Sequence, residues 1–398
     1  MIIHDIFSKN KHDKMKKITV AIALFLSSLT VQAQDNEIYR MKEFARENKR
    51  QIINIPDVGE FKILKADFHM HTVFSDGQVW PNVRVQEAWQ EGLDAISLTE
   101  HVEILPFRQD VKVNTTRSYD LAKRMADENN IILIKGTEIT RNTPPGHFNA
   151  IFINHSEGFI ADLDSERDDE AIGKVIDQNA FIIWDHPGWR ASTIEGSYEW
   201  VDFVDRLHKN KALGGIEVFN GFSFFKKALD WAVDKNLAVI GNSDIHNLIA
   251  HTYDLDADHV NRTMTLVFAK ERTAESIREA LDAGRTVAWA SKYLAGKEEH
   301  VVSLFNACVS IGTAHHSVVR KDQSGRELKT NYYEIVNKSD LYFELELTKG
   351  DGTEEIILYP SSSQMITAAA GQDSLEYKVV SAYVRSDQHP VISFSLRE

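Results

Sequence analysis

The sequence predicts a parallel α/β domain, barrel or open sheet, followed by a small antiparallel β-sandwich. Three observations carry this expectation. Between about residues 62 and 296, apolar runs alternate with amphipathic stretches about seven times over, the pattern of strands joined by crossover helices. After about residue 299 helical periodicity fades, and short runs such as YYEIVN, LYFELEL, EEIILY, LEYKVVSAYV and VISFSL are separated by Asn, Ser, Gly and Asp turns, as in a sandwich of hairpins. Histidines and carboxylates recur at the ends of the first region's apolar runs, where parallel α/β folds gather ligands.

Taken in order, residues 34–60 open with a polar stretch (EIYRMKEFARENKRQ) that reads as a lead-in helix. The expected strands are KILKADFH (62–69), DAISLTE (94–100), IILIKGTE (131–138), FIIWDH (181–186), GIEVFN (215–220), AVIGNSD (238–244) and MTLVFAK (264–270), with GHFNAIFIN (146–154) as one extra. PNVRVQEAWQEG reads as a helix with Pro81 at its start and Gly92 past its end, the usual asymmetry of helix termini. SYDLAKRMADENN, DDEAIGKVIDQN, SFFKKALDWAVDKN and TAESIREALDAG are further helices, and a short one is expected near 297–308. The expected organisation is therefore a barrel or sheet domain over 61–296 and a β-sandwich-like domain over 297–398. No internal repeat or low-complexity tract interrupts it.

Composition narrows the function. Apolar residues make up 43% of the 398-residue chain, enough for a sizeable core. A formal charge of −14 repels long nucleic acid, although a local basic pocket could still hold a small phosphorylated ligand. The single cysteine, Cys308, excludes an intrachain disulfide and any cysteine-based zinc knuckle. A metal would have to be held by carboxylates and some of the 16 histidines. Lys14, Lys16 and Lys17 precede the apolar run Ile18–Leu29, and Val31-Gln32-Ala33 follows as a small-x-small cleavage pattern. The run is short of the ~20 residues that span a bilayer, so residues 1–33 read as a signal peptide, with a retained anchor as the alternative. No cysteine near the cleavage point supports a lipoprotein. Removal of these residues, which carry five Lys and two Asp, takes the formal charge from −14 to −17. The expected destination is the periplasm or exterior of a bacterium.

The strand ends carry the chemistry. The first ends in His69-Met70-His71 with Asp76 just beyond, the second in Glu100-His101 and the third in Glu138. The extra strand begins at His147, the fourth ends in Asp185-His186, and the sixth in Asp244-Ile245-His246. A lone histidine at a strand end is most often solvated or hydrogen-bonded. Residues i and i+2 of a strand share a face, so His69 and His71 could reach one cation at about 2.0–2.2 Å. Asp244 and His246 repeat that spacing. A carboxylate ending a buried strand, as Glu138 does, is costly unless paired or metal-bound. Six such events at one end of one domain point to a metal site.

The order His-x-His, Ser-Asp-Gly, Thr-x-His, Gly-x-Glu, Gly-His, His-Pro, Ser-Asp-x-His over residues 62–296 resembles the PHP (polymerase and histidinol phosphatase) superfamily. The resemblance implies a distorted seven-stranded β/α barrel of TIM-like form holding two or three divalent ions. It implies that His69, His71, Glu138 and Asp244 hold one ion and that Glu138 bridges to a second, completed by His147 and His186. Asp76, His101 and His246 would hold the third. This all-His and carboxylate set suits Zn, Mn or Fe better than Ca or Mg. Two departures stand out: Glu100 occupies a place where relatives commonly carry Asp, and Asp76 one where some carry His. The second would weaken the third site for a soft metal.

The implied function is an exported metallophosphoesterase acting on small phosphomonoesters or phosphodiesters by metal-activated water. Asp244, His246 and His101 are the candidate catalytic residues for proton handling near water and leaving group. Arg190, Asn220 and Arg141 are the candidate substrate contacts, and Trp189 a candidate pocket wall. The export signal disfavours a cytoplasmic biosynthetic phosphatase and a polymerase-associated nuclease. An amidohydrolase-type hydrolase and a non-catalytic phosphate- or metal-binding protein are the alternatives. The first usually centres on a bridging lysine, a place that Glu138 takes here.

Overall fold

The computed structural model describes residues 48–398 apart from 113–115, 143, 157–158, 160–167, 190–197, 256–260 and 398. The expected signal peptide and residues 34–47 of the expected lead-in helix lie outside the described residues. Residues 48–60 contain no helix, and Val58 bridges to Phe61 across a tight turn.

All the expected strands of the first region form: β1 (Lys62–Asp67), β2 (Ala95–Leu98), β3 (Ile132–Ile139), β4 (Phe148–Ile151), β5 (Phe181–Trp184), β6 (Leu213–Asn220), β8 (Ala238–Asn242) and β9 (Met264–Ala269). Three more join them: β7 (Ser223–Phe224), β10 (Thr286–Ala290) and β11 (Tyr293–Gly296). Helices α1 (Pro81–Gln90), α2 (Arg117–Glu128), α3 (Asp168–Asp177), α5 (Lys226–Asp234) and α7 (Ala274–Asp282) fall where the periodicity puts them. The periodicity did not mark α4 (Asp202–Lys209) or the single turn α6 (Ile249–Thr252).

The expectation of seven parallel strands needs correction. Among the described residues the sheet has 12 strands, in the order β18 (Ala382–Tyr383), β11, β10, β9, β1, β2, β3, β4, β5, β6, β7, with β8 on β6. The β1–β2, β2–β3, β5–β6 and β6–β8 ladders are parallel. The β3–β4, β4–β5, β1–β9, β9–β10 and β10–β11 ladders are antiparallel. The sequence hid β10 and β11 because TVAWA and YLAG are nearly buried on both faces and show no alternation.

The sheet curls, and its seam at β8 is closed by side chains. Val239 N donates to Thr286 Oγ1 (2.9 Å), Gly241 N to Thr265 Oγ1 (3.0 Å) and Phe68 N to Asn242 Oδ1 (2.8 Å). A Cβ at Gly241 would lie 2.7 Å from the Met264 carbonyl oxygen, so only glycine lets β8 approach this closely.

Helix α8 (Glu298–Cys308) leads into two smaller sheets. One is β12 (Val309–Lys321), β13 (Glu327–Asn337) and β16 (Ser363–Ala369); the other orders β15 (Glu355–Leu358), β14 (Phe343–Lys349), β17 (Ser374–Val379) and β19 (Val391–Ser395). Between β17 and β19, β18 (Ala382–Tyr383) leaves the sandwich and pairs in parallel with β11. Residues Arg50–Glu398 thus form one compact unit. Val301, Leu304, Phe305 and Cys308 of α8 are buried, and Phe305 meets Phe343 at 4.9 Å between ring centroids. Burial of each large apolar side chain here contributes about 1.5–3 kcal/mol. Burial also pushes the Cys308 thiol up to about 11, as befits an inert packing residue.

Candidate metal centre

The first and sixth expected strand ends lie side by side. Beyond β1 and β8, Asp244 N donates to the His69 carbonyl (2.9 Å), His71 N donates to the Ile245 carbonyl (3.1 Å), and Met70 bridges Ile245 in parallel. Alternation then sends His69 and His71 to one side, into the barrel mouth. His101 bridges Glu138 at the ends of β2 and β3, and His147 and His186 flank β4 and β5.

Glu138 is the hub. Its fully buried carboxylate lies 3.1 Å from His69 Nε2, His71 Nε2 and His101 Nδ1, 2.6 Å from His147 Nδ1 and 3.8 Å from His186 Nε2. Asp244 Oδ1 lies 3.2 Å from both His69 Nε2 and His71 Nε2, and its Oδ2 3.8 Å from His186 Nε2. Donor atoms of His71, Asp76, His101 and His246 form a neighbouring group, all within 4.8 Å of one another. His246 Nε2 sits 3.1 Å from Asp76 Oδ1 in that group. Asp76 reaches it because the Ser75-Asp76-Gly77 turn packs on the His71 backbone, where a Cβ at Gly77 would lie 2.5 Å from the His71 carbonyl carbon.

This donor set fits divalent cations. His71 Nε2 and Asp76 Oδ1 are buried without a hydrogen-bond partner although oppositely charged atoms surround them. Donor atoms that share one cation at about 2.1 Å lie roughly 3.0–3.4 Å apart, and the four distances from His69 Nε2 and His71 Nε2 to the Glu138 and Asp244 oxygens are 3.1–3.2 Å. The imidazole tautomers agree. His69 Nδ1 donates to Glu217 Oε1 at 2.9 Å, so with an ion bound in place of the Nε2 proton that faces Glu138, Nε2 would be the donor atom. His71 Nδ1 faces Ser75 Oγ (3.2 Å), whose hydroxyl donates to Glu100 Oε2 (2.6 Å). Glu100 therefore acts on the site through Thr72 and Ser75.

Against this geometry stands a solved structure 39% identical to this chain, a two-domain protein from Bacteroides vulgatus containing a predicted PHP-like metal-dependent phosphoesterase. It aligns with a TM-score of 0.79 over 88% of this chain and 100% of the other. The chain belongs to the PHP family. Residues 309–395 match the Ig-like domain family DUF5001, so this PHP protein carries an Ig-like module behind its barrel. The uncharacterized protein MJ1295 of Methanocaldococcus jannaschii is 35% identical over 81 residues, 20% of this chain and 36% of that relative, so the chain spans about a third of the relative's length. A candidate metal-dependent phosphoesterase from Bifidobacterium adolescentis aligns at a TM-score of 0.35, with 18% identity over 46% of this chain and 87% of the other. That likeness falls below a shared overall fold.

Charge is tightly balanced in the PHP centre. Burial works against protonation of His71, but Asp244 and Glu138 outweigh it and lift the imidazole to about 9. Burial would raise Glu138, yet His101, His69 and His147 hold its carboxylate well below the usual range. Burial pushes His101 down to about 3. Two ligand-bearing residues, His186 (φ +24°) and Asp244 (φ +53°), sit in the left-handed backbone region. Such strain costs of order 1–3 kcal/mol per residue and collects at functional sites. Glu217 Oε2, accepting from His186 N at 2.8 Å, helps hold one of them.

Nine sequence-predicted residues, His69, His71, Asp76, His101, Glu138, His147, His186, Asp244 and His246, thus converge. Asn220 joins their edge, donating to Glu217 Oε2 (2.8 Å) and approaching Asp244 Oδ2 (3.4 Å). Arg141 is placed otherwise: its buried guanidinium pairs with Glu103 at 2.7 Å and donates to the Thr140 carbonyl, which makes it a support of the β3 end. Arg190 lies outside the described residues. Trp189 is 49% exposed, with His147 and His186 each 5.8 Å from its ring.

Sequence reading missed the supports. Arg84, fully buried on α1, donates to the carbonyls of His71 (2.9 Å), Ile245 (3.1 Å), His246 (2.8 Å) and Asn247 (2.7 Å) and pairs with Glu87 (2.8 Å). Asp67 pairs with Arg262 and accepts from Ser243 Oγ, joining the ends of β1 and β8. Glu217 was legible as an acid inside the apolar strand GIEVFN. Arg84 left no such signal in an ordinary amphipathic helix.

Proposed function

We propose that this PHP protein is an exported, metal-dependent phosphoesterase that hydrolyses small phosphomonoesters or phosphodiesters. The observation that carries the reading is the buried Glu138 carboxylate ringed by five histidines, with Asp244 facing the same imidazoles. His69, His71, Glu138 and Asp244 would hold one ion, and Glu138, His147 and His186 a second. Asp76, His101 and His246 would hold a third, with Zn, Mn or Fe favoured by the donors. Bound ions would supply Lewis-acid charge for phosphoryl oxygens and a hydroxide-like nucleophile near neutral pH.

The chain's own groups do the rest. Glu138 and the buried histidines exclude bulk water and fix the donor geometry. Asp244, its side chain 19% exposed, faces the opening and is the proposed acceptor of a proton from the attacking water at Oδ2. His246, whose Nδ1 lies 3.7 Å from Asp244 Oδ1, and His101 are proposed to handle the proton of the leaving oxygen. Asn220 Nδ2 would orient the ester, and Arg190 remains a proposed phosphate contact. The formal charge of −14 supports a small substrate over long nucleic acid. The lysines and apolar run of residues 1–33 support export to the periplasm or exterior.

Hydrolysis of p-nitrophenyl phosphate and bis-p-nitrophenyl phosphate with added Mn or Zn tests the proposal and separates monoesterase from diesterase. Asp244→Asn should lose activity together with metal content. Full activity and full metal content in that variant would defeat the assignment, and hydrolysis of neither ester by metal-loaded protein would defeat the function.

A further inference from the structure

A cavity of about 410 Å³ opens at the same end of the sheet as the metal centre. Phe219 and Gly221, on either side of Asn220, line it, and the Asn220 amide approaches Asp244. Gly221 N donates to the Asn242 carbonyl (3.0 Å), and Thr263 Oγ1 donates to the Gly221 carbonyl (2.6 Å). These bonds tie the loop after β6 to the end of β8, which leads into Asp244. The loop after β6 thus runs from Asn220, which approaches Asp244, into the cavity wall at Gly221 and Phe222.

The lining is aromatic and uncharged. Phe222, Phe224, Tyr253, Tyr293 and Tyr383 contribute aromatic side chains, and no described lining residue is an acid, a lysine, an arginine or a histidine. Phe222 is 75% exposed and leans on Tyr253 at 4.8 Å between centroids. Phe224 meets Tyr383 at 4.9 Å. Asn261, Thr263, Ser223 and Ser291 add polar edges to the lining. A mostly apolar concavity with a few polar groups is the usual form of a small-molecule seat, and aromatic walls favour an aromatic guest, which they can meet edge to face or offset. Tyr383 belongs to β18, so the Ig-like module supplies one wall.

We propose that this cavity seats the leaving group of the ester, and that this group is an uncharged, planar aromatic alcohol. The inference rests on the phosphoesterase reading and narrows its substrate class. In the reaction, the water oxygen bonds to phosphorus, the ester P–O bond breaks with its electron pair passing to the aromatic alcohol's oxygen, and the proton lost by water ends on that oxygen. The phosphoryl group stays at the Asp244 side of the loop and the ring enters between Phe222 and Tyr383.

Isothermal titration of the metal-loaded full chain with benzylphosphonate and with methylphosphonate tests the assignment, since the two share one head group. Benzylphosphonate should bind about tenfold tighter or more, as burial of a phenyl ring requires. Phe222→Ala, at an exposed position that leaves the fold intact, should erase most of that preference and leave methylphosphonate unchanged; Tyr383→Ala should act alike. Equal affinities in the unaltered protein, or a preference untouched by Phe222→Ala, overturns the leaving-group seat while leaving the phosphoesterase reading in place. Failure of both phosphonates to bind defeats the phosphoesterase reading instead. In that case a 2-naphthol fluorescence titration decides the cavity: saturable binding lost in Phe222→Ala supports an aromatic seat, and absence of binding overturns it.

Discussion

Glu217 accepts the Nδ1 proton of His69 at 2.9 Å, and the same carboxylate holds His186 N, Asn220 Nδ2 and Asn242 Nδ2. One fully buried residue therefore orients donors on both sides of Glu138. Outer carboxylates of this kind commonly set metal affinity by 10–100-fold. Glu217→Gln should weaken metal binding by about that factor with the fold retained. Titration of the apoprotein with Zn or Mn reads it, and an unchanged dissociation constant would sink the assigned role.

Arg84→Leu tests the scaffold beneath the centre. The substitution strands Glu87 and four carbonyls in the interior, and breaking a buried pair typically costs about 3–5 kcal/mol. Denaturant unfolding of the apoprotein should show a loss of that order. A change below about 1 kcal/mol would mean that water replaces the guanidinium freely.

Asp76→Ala addresses the outermost ion position. Its carboxylate, 27% exposed on the side chain, pairs among the described residues with His71, His101 and His246 of its donor group. Elemental analysis should find about one equivalent less metal, with the remaining ions retained. Unchanged stoichiometry would remove Asp76 from the ligand set.

His300 gives a pH signature remote from the metal. Burial pushes its imidazole below 6.5, and Lys297 and Arg285 add to the effect against Glu299. The unfolded chain then binds a proton that the folded chain resists. Stability from this group is complete above about pH 6.5 and is lost as pH falls below that value. Thermal midpoints at pH 7.5 and 5.5 should differ less in His300→Gln than in the unaltered chain; equal differences would refute the linkage.

Legibility of the sequence follows physical range. The metal donors were readable because parallel strand ends converge, so residues as distant as His69 and Asp244 announce one site through spacing alone. Strands β10 and β11 were not, because burial on both faces erases the alternation that marks a strand. Arg141 was legible as a cation three residues past a strand end, whereas its pairing with Glu103, 38 positions earlier, was not, because nothing in local spacing marks it. Arg84 acts through backbone carbonyls, contacts that leave no periodic trace, whereas Glu217 shows in the sequence only as an acid inside the apolar strand GIEVFN, without its partners.

The two residues of β18 have a consequence for the ancestry of the chain. Without Ala382 and Tyr383, strand β11 would end the large sheet as an open border, and such borders invite pairing with other chains. A gene fragment encoding the barrel alone would therefore be born with an aggregation hazard.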